Sequence, residues 1–327
     1  MNKIITTVGP SFLNKTKLSE TKSEGLIYRI NGAHGSINEI ENYIIEIKNQ
    51  IERPHILMDL PGNKVRTKGF DNGYILIKKG EEFVLKFENT NYYNFYKHLK
   101  PQDIIWANDS IFKFEVLSVT ENNKTIKILS HSTGKLLNNK GMHVRGIHQD
   151  IPFLFDKDKL LIELANKHEL DFVGLSFVRT RQDVIEAKKL IKSKSKIISK
   201  IETLSSVKNI DEIFKEVEYI LVDRGDLSTE IGINRVPFYQ KYIIDKGNFH
   251  DKKVFLATQF LKNMEINPLP TIPEVIDLYN TIKLGVYGIQ LSEETAVGSY
   301  PIECIEFLRE MMNECDKGLY SDDFLIK

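Results

Sequence analysis

The sequence predicts an α/β protein: a (β/α)8 (TIM) barrel with a small all-β domain inserted after its third strand. Three observations predict this fold. Short apolar, β-branched segments alternate with amphipathic segments along most of the chain, and eight such apolar segments can be counted. One long stretch interrupts the alternation with patterns typical of antiparallel strands. No GxGxxG motif follows any of the strands, which disfavours the alternative of an open doubly wound sheet.

The predicted barrel strands are nearly continuous in apolar character, as expected of strands covered on both faces. In chain order they are Lys3–Thr7, Leu26–Ile30, His55–Asp59, Phe172–Ser176, Lys196–Lys200, Tyr219–Asp223, Lys253–Ala257 and Gly288–Leu291. Helical spacing of apolar residues predicts helices between them, including one that extends from Leu204 to Val217. The last helix is predicted to begin near Pro301, because proline is tolerated in the first turn.

The predicted insertion extends from Gly69 to Ile147. The barrel would then comprise residues 1–68 and 148–318, and residues 319–327 would form a tail. The insertion begins with a strand, turn, strand pattern that has Lys79 and Gly80 in the turn, and longer β-like segments joined by residues 121–124 follow. Loops after barrel strands open at the catalytic end, so the insertion is predicted to be a lid; a decorative surface domain is the alternative.

The composition excludes several classes of protein. The chain has 327 residues, with 45 Lys plus Arg against 45 Asp plus Glu, and this balance argues against a nucleic-acid partner. A hydrophobic content of 41% argues against a disordered chain. No apolar run is long enough to span a membrane, and the N-terminus lacks the features of a signal peptide. Cys304 and Cys315 share one predicted helix, so a disulfide framework is excluded and a cytoplasmic location is expected.

The most informative polar residues follow two neighbouring predicted strands. Lys200 and Glu202 are two residues apart at a strand end, so their side chains point the same way. Asp226 lies in the loop after the next strand, and a barrel would bring all three groups to one mouth. Two carboxylates and a lysine can hold a hard divalent cation and an anionic substrate, whereas a structural ion pair is the alternative. We expect Lys200 and Asp226 to face solvent and ligand.

Longer segments around these residues resemble the pyruvate kinase family. The matching segments are TTVGPS, YRINGAHG, LMDLPGNKVRTKG, KIISKIETLSSVKNIDEI, ILVDRGDLSTEI, VFLATQFLKNMEINPLPTIPEV and GIQLSEETAVGSYPIE. They follow the family's order from about Lys3 to Met312, and the resemblance is weak in the insertion. It implies a barrel with a lid in the third loop, transfer of a phosphoryl group from phosphoenolpyruvate to ADP, and a requirement for Mg²⁺ or Mn²⁺. A homodimer through the barrel is a separate expectation.

The resemblance implies a role for each matching residue. Lys200 would stabilise the phosphoryl group and the enolate, and Thr258 would help to protonate the enolate carbon. Arg29 and Arg66 would clamp the phosphate, which suits their planar donors. The remaining matches are the divalent-metal ligands Glu202 and Asp226, the backbone N–H groups of Gly225 and Asp226 for the substrate carboxylate, the nucleotide-binding residues Pro10, Asn31, His34 and Lys140, and the monovalent-ion region Asn31, Asp59 and Lys64.

Some departures from the family pattern concern potassium. Ala33 stands where members commonly carry Ser, Leu60 replaces a Thr, and Lys64 replaces the Glu of potassium-dependent members. The resemblance to a potassium-independent subgroup implies that potassium is not required, because the Lys64 ammonium would supply the charge. The alternative is that Lys64 is a solvated loop residue.

Other departures concern the substrate. Asp223 replaces an Ala beside the carboxylate-binding turn and adds negative charge there, for which Arg224 is a candidate partner. Ser228, Glu293, Val297 and Pro61 also differ from the family pattern. The sequence has no counterpart of the family's C-terminal regulatory domain, so we expect no sugar-phosphate effector site. Two alternative functions stay open: a metal-dependent lyase or aldolase that acts through a pyruvate enolate, and a catalytically drifted binding protein.

Overall fold

A computed structural model of the protein describes residues 3–14, 18–21, 24–108, 110–146 and 151–317. The predicted tail, residues 319–327, and Ile147 at the predicted end of the insertion lie outside the described residues. The strands are β1 (Lys3–Thr7), β2 (Leu26–Asn31), β3 (Ile56–Asp59), β4 (Tyr74–Ile77), β5 (Glu82–Lys86), β6 (Ile104–Ala107), β7 (Phe112–Thr120), β8 (Thr125–Ser130), β9 (Gly134–Leu137), β10 (Met142–His143), β11 (Phe172–Leu175), β12 (Lys196–Ile201), β13 (Tyr219–Asp223), β14 (Lys253–Ala257) and β15 (Gly288–Leu291).

The helices lie mostly between the barrel strands. They are α1 (Pro10–Asn14), α2 (Ile37–Gln50), α3 (Asp156–Lys167), α4 (Arg181–Leu190), α5 (Leu204–Lys208), α6 (Ile210–Phe214), α7 (Arg224–Ile231), α8 (Val236–Phe249), α9 (Ile272–Lys283), α10 (Glu293–Ala296) and α11 (Pro301–Lys317). Pro301 begins the last helix, as predicted. The helix predicted from Leu204 to Val217 is instead two short helices that meet at Asn209. Among the described residues, no helix has both the length and the apolar character needed to cross a membrane.

Eight parallel strands close the barrel in the order β1-β15-β14-β13-β12-β11-β3-β2, and β2 pairs with β1. The predicted fold class is therefore confirmed. The predicted ends of each of the eight strands differ from the observed ends by at most one residue. Side chains that point inward fill the barrel, and the other faces of the strands pack against the helices. The inner layer consists of Ile5, Ile27, Leu57, Phe172, Ile198, Tyr219, Leu221, Phe255 and Ala257.

The insertion has its own hydrophobic core. It contains a five-stranded sheet, β10-β6-β7-β8-β5, and a two-stranded sheet, β4-β9. The predicted turn at residues 121–124 joins β7 and β8 in an antiparallel pair. The strands on either side of Lys79 and Gly80 do not pair with each other, because β4 pairs with β9 and β5 pairs with β8. The core of the insertion also includes Val65 and Ile151, which lie just outside its predicted bounds.

Candidate active site

The polar side chains of the site continue the inward-facing rows of the barrel strands. Successive side chains of a strand alternate between faces, so a residue two positions after an inner-core residue points to the same interior. The pairs are Ile5 and Thr7, Ile27 and Arg29, Leu57 and Asp59, Ile198 and Lys200, and Leu221 and Asp223. Because all five strands are parallel, these polar groups lie together at the C-terminal mouth of the barrel.

Lys200 lies at the centre of this group and is only 5% exposed. Its Nζ atom lies 2.9 Å from Oε1 of Glu202, 3.5 Å from Oδ1 of Asp59 and 3.8 Å from Oδ2 of Asp223. It also donates a hydrogen bond of 3.0 Å to Oγ of Ser176. Burial alone would lower the pKa of Lys200, but the three carboxylates outweigh it and raise that pKa, so the ammonium stays charged. The expectation that Lys200 faces solvent was wrong. Asp59, Ser176 and Asp223 reach it from the ends of three other strands and, together with Glu202, enclose it.

Glu202 is fully buried behind Lys200. Its Oε2 atom accepts a hydrogen bond of 2.7 Å from the backbone N–H of Phe177. Its Oε1 atom accepts no well-aligned hydrogen bond from the described residues, although the Lys200 ammonium is near. Burial raises the pKa of Glu202 despite the adjacent Lys200. The buried Glu202 carboxylate would therefore be stabilised by a second cation bound beside it.

Asp226 lies on the more open side of the mouth. Its Oδ1 atom is 2.5 Å from Nζ of Lys64. Burial would raise the pKa of Asp226, but Lys64, together with Lys200 and Arg66, outweighs burial and lowers that pKa to about 2. Lys64 passes beneath the insertion, since a Cβ atom at Gly141 would lie 2.4 Å from Cε of Lys64. Lys64 is therefore half-buried at the junction of the insertion and the barrel rather than solvated.

A divalent cation fits this set of carboxylates. One oxygen atom from each of Glu202, Asp223 and Asp226 lies within 4.8 Å of the others. Carboxylate oxygens are the ligands that Mg²⁺ and Mn²⁺ prefer. The structure thus brings the two predicted metal ligands together and adds a third carboxylate to them.

Helix α7 begins at the mouth, and Asp223 caps it. The Asp223 Oδ1 atom accepts a hydrogen bond of 3.2 Å from the N–H of Gly225 and lies 3.5 Å from the N of Asp226. These are the two backbone groups that sequence analysis assigned to the substrate carboxylate. Burial raises the pKa of Asp223, although Lys200 opposes that shift.

Thr258 has a left-handed backbone conformation, with a φ angle of 75°, which is strained for a β-branched residue. Its Oγ1 atom accepts a hydrogen bond of 3.1 Å from the Gly225 N–H. Arg224 stabilises this conformation, because its Nη2 atom donates to the Thr258 carbonyl at 2.6 Å. The Nη1 atom of Arg224 pairs with Asp277 at 2.7 Å. Arg224 is therefore engaged away from Asp223, contrary to the partner considered from the sequence.

Two arginines lie on the opposite side of the mouth. Arg29 is buried, and its Nε atom donates to Oδ2 of Asp59 at 2.7 Å while its Nη1 atom donates to Oγ1 of Thr7 at 2.8 Å. Arg66 is half-buried, and its charge is close enough to lower the pKa of Asp226 further. This side of the mouth is therefore cationic.

The residues predicted at the nucleotide differ in their exposure and in their contacts. Pro10 and His34 are exposed, and Asn31 and Lys140 are half-buried. Desolvation and the nearby charges of Arg66 and Arg29 lower the pKa of His34. The Nδ2 atom of Asn139, in the insertion, lies 3.5 Å from Nδ1 of His34. Asn31 accepts a hydrogen bond from the N–H of Ala33, and Lys140 is bound through its backbone to Thr67.

The members of the predicted monovalent-ion region have different partners. Asp59 pairs with Arg29 and lies near Lys200, and Lys64 pairs with Asp226. The ammonium of Lys64 thus neutralises a predicted divalent-metal ligand. Its role in place of potassium stays a prediction.

Several residues that support the site were not predicted from the sequence. They are Thr7, which holds Arg29, Ser176, which holds Lys200, Asp277, which holds Arg224, and Lys157, whose Nζ donates to the Gly35 carbonyl near Arg66. For Thr7 and Ser176 a signal was present, because each is a polar residue that ends a predicted strand. Lys157 and Asp277 lie within helices, where charged residues are common and carry no such signal.

Comparisons with known proteins identify the family to which the barrel belongs. A family model described as the barrel domain of pyruvate kinase matches residues 1–305. The pyruvate kinase of Thermotoga maritima is 35% identical over 334 residues, which cover 97% of this chain and 71% of the relative. The pyruvate kinase of Geobacillus stearothermophilus is 32% identical and that of Candida albicans 33% identical. This chain spans 58% of the length of the former and 67% of the latter.

The central position of Lys200 gives a testable consequence. We expect Lys200→Met to lower the free energy of unfolding by about 3–5 kcal/mol, because it leaves buried carboxylates without their cation. The loss should be larger at pH 8 than at pH 5. A buried carboxyl group such as Glu202, whose pKa is raised in the folded state, favours folding when protonated and opposes it as the pH rises through that pKa.

Urea unfolding at the two pH values measures this loss. Lys241→Met is the control, because Lys241 forms an exposed ion pair with Asp245 on α8 and its removal should change stability by less than about 1 kcal/mol. Equal stability of the Lys200→Met variant and the unaltered protein would contradict the central role of this ammonium.

Proposed function

Because the chain belongs to the pyruvate kinase family, we propose that it is a phosphotransferase of glycolysis that moves a phosphoryl group between phosphoenolpyruvate, or a close relative, and ADP. The observation that carries this proposal is the buried Lys200 ammonium at the barrel mouth, flanked by Glu202 and Asp226 on one side and by the two arginines on the other. Phosphoryl transfer depends mainly on positioning and on positive charge, and this mouth offers both.

The proposed roles follow from where each group lies. Arg29 and Arg66 hold the phosphoryl oxygens, and Lys200 stabilises the negative charge that develops when the bond between phosphorus and the enol oxygen breaks. An oxygen of the ADP β-phosphate forms the new bond to phosphorus. The enolate then takes a proton at carbon, and we assign its delivery to the Thr258 hydroxyl, which lies beside the N-terminus of α7. Glu202 and Asp226 would hold a divalent ion, which neutralises phosphate and enolate oxygens when bound.

A coupled assay for pyruvate tests the function. With Mg²⁺, phosphoenolpyruvate and ADP together should yield pyruvate and ATP in equal amounts. Pyruvate formation that requires no ADP would contradict the kinase proposal and support the lyase alternative. Binding of these ligands without turnover would indicate a drifted binding protein.

We also propose that the enzyme works without potassium, that it is cytoplasmic, and that it forms a homodimer through the barrel. The two cysteines are free thiols, which is typical of a reducing compartment.

The dimer proposal is supported by exposed apolar side chains just before α9 and in its first turns, namely Ile266, Leu269, Ile272 and Ile276. Light scattering of the purified protein measures its mass.

Lys64 allows the potassium proposal to be tested. Potassium should change the activity of the unaltered enzyme by less than about twofold, because the Lys64 ammonium already faces Asp226. Lys64→Glu should lower activity at least roughly tenfold, since two carboxylates would then face each other, and potassium should restore part of the loss. The measurement is the initial rate against potassium concentration.

Two controls accompany this prediction. Lys64→Met removes the charge without adding a new one and should respond less to potassium than Lys64→Glu. Tetramethylammonium replaces potassium at equal ionic strength and should restore nothing. Strong stimulation of the unaltered enzyme by potassium alone would refute the proposal.

The insertion is proposed to act as a lid. Its core is separate from the barrel core, so the barrel should still fold when Gly69–Ile147 is replaced by a short Gly-Ser linker. Gly141 of the insertion packs against Lys64, and His143 of the insertion pairs with Glu230 of α7 at 3.0 Å. Without it, nucleotide-dependent turnover should fall at least about a hundredfold, because the acceptor is no longer positioned and water is not excluded.

The assay is pyruvate formation, and circular dichroism reports whether the barrel is folded. His131→Ala is the control, because His131 pairs with Glu115 inside the insertion and should leave turnover unchanged. Full activity without the insertion would mean that it is decorative. An unfolded barrel would mean that the boundary is misplaced.

A further inference from the structure

We propose that Asp223 is a built-in substitute for the carboxylate of the phosphoryl donor and that it determines how tightly a carboxylate-bearing donor binds. The inference rests on the proposed function and deepens it, because it concerns the class of donor that the mouth accepts. It is carried by the contacts of one buried side chain.

The first set of contacts is with the backbone of α7. The first N–H groups of a helix have no partner within the helix and carry partial positive charge, so they bind anionic oxygens. Here Oδ1 of Asp223 accepts the N–H of Gly225 at 3.2 Å and lies 3.5 Å from the N of Asp226. A protein carboxylate thus occupies the amide groups that an incoming carboxylate would use.

The second contact is with the cationic centre. The other oxygen of Asp223, Oδ2, lies 3.8 Å from Nζ of Lys200. One Asp223 oxygen also lies within 4.8 Å of a Glu202 and an Asp226 oxygen, where a divalent ion fits. Asp223 therefore combines the two kinds of contact expected of a bound substrate carboxylate, namely backbone amide groups and a cation.

Asp223 shares each of its nearby cations with another carboxylate, since Lys64 pairs with Asp226 and Arg29 pairs with Asp59. Its sequence neighbour Arg224 pairs with Asp277 and with the carbonyl of Thr258. Lys200, which lies within reach of Asp223, is shared with Asp59 and Glu202. Since Asp223 is only 7% exposed, water screens its charge weakly. A second carboxylate that enters the same space meets both an occupied set of N–H groups and a like charge.

The consequence is selectivity between anions. A donor that presents a carboxylate beside its phosphate should bind weakly, because Asp223 competes for the same N–H groups. The affinity for an anion that contacts only Arg29 and Arg66 should not depend on Asp223. Phosphoenolpyruvate and inorganic phosphate are probes of these two classes.

Calorimetric titration of the full chain with Mg²⁺ present tests the proposal. Asp223→Ala should bind phosphoenolpyruvate at least roughly tenfold more tightly than the unaltered protein does, with inorganic phosphate affinity unchanged. The phosphoenolpyruvate affinity of Asp223→Asn should lie between those of Asp223→Ala and the unaltered protein. The amide oxygen of Asn can still accept the N–H bonds but carries no negative charge. Asp245→Ala removes one charge from the exposed face of α8 and should change neither affinity.

The KM for phosphoenolpyruvate should fall in the same order, whereas kcat should change less. Equal or weaker phosphoenolpyruvate binding by Asp223→Ala, with phosphate binding retained, would overturn this inference and leave the proposed function standing. If no variant bound phosphoenolpyruvate at all, the proposed function would be overturned and the inference with it. The conservative Asp223→Asn variant keeps the helix cap, so it separates these outcomes from a failure to fold.

Discussion

The Lys200 ammonium is the interaction on which the mouth of the barrel depends. Three carboxylates from three different positions in the chain, Asp59, Glu202 and Asp223, lie within 4 Å of its Nζ atom. Without a central cation they would repel one another in a region that water screens weakly. Even with it, burial keeps the pKa values of Glu202 and Asp223 above their ordinary range. Groups with shifted pKa values cluster at functional sites, which agrees with the choice of this mouth as the candidate active site.

The barrel itself could be predicted from the sequence, because strands covered on both faces consist of short, β-branched apolar runs, and these runs alternate with helical patterns along the chain. Four predicted strands, β1, β13, β14 and β15, have the observed bounds. Lys200 and Glu202 could also be predicted from the strand ends. Polar side chains at the C-terminal ends of barrel strands lie together at the same face of the barrel.

The details that sequence analysis missed depend on contacts between distant segments. Lys200 was expected to face solvent, but Asp59 is 141 positions away along the chain and encloses it all the same. Arg224 was considered as the partner of its neighbour Asp223, but consecutive residues at a strand end diverge and Arg224 reaches Asp277 on α9. Likewise β4 pairs with β9 across the insertion rather than with β5. Local patterns contain no information about such pairings.

Helix α7 connects the insertion to the reacting centre. At its N-terminus, Asp223 and the Thr258 hydroxyl both accept the Gly225 N–H. At its C-terminal end, the Glu230 carboxylate pairs with His143 of the insertion, and the Thr229 carbonyl accepts a hydrogen bond of 3.1 Å from Arg145. A helix of eight residues is about 12 Å long and stiff over that length. The contacts that seat the insertion on the barrel therefore also fix the direction of the N–H groups that face the site. A change at either end of α7 acts on the same rigid element, which is why the cap formed by Asp223 and the junction formed by His143 belong to one structural unit.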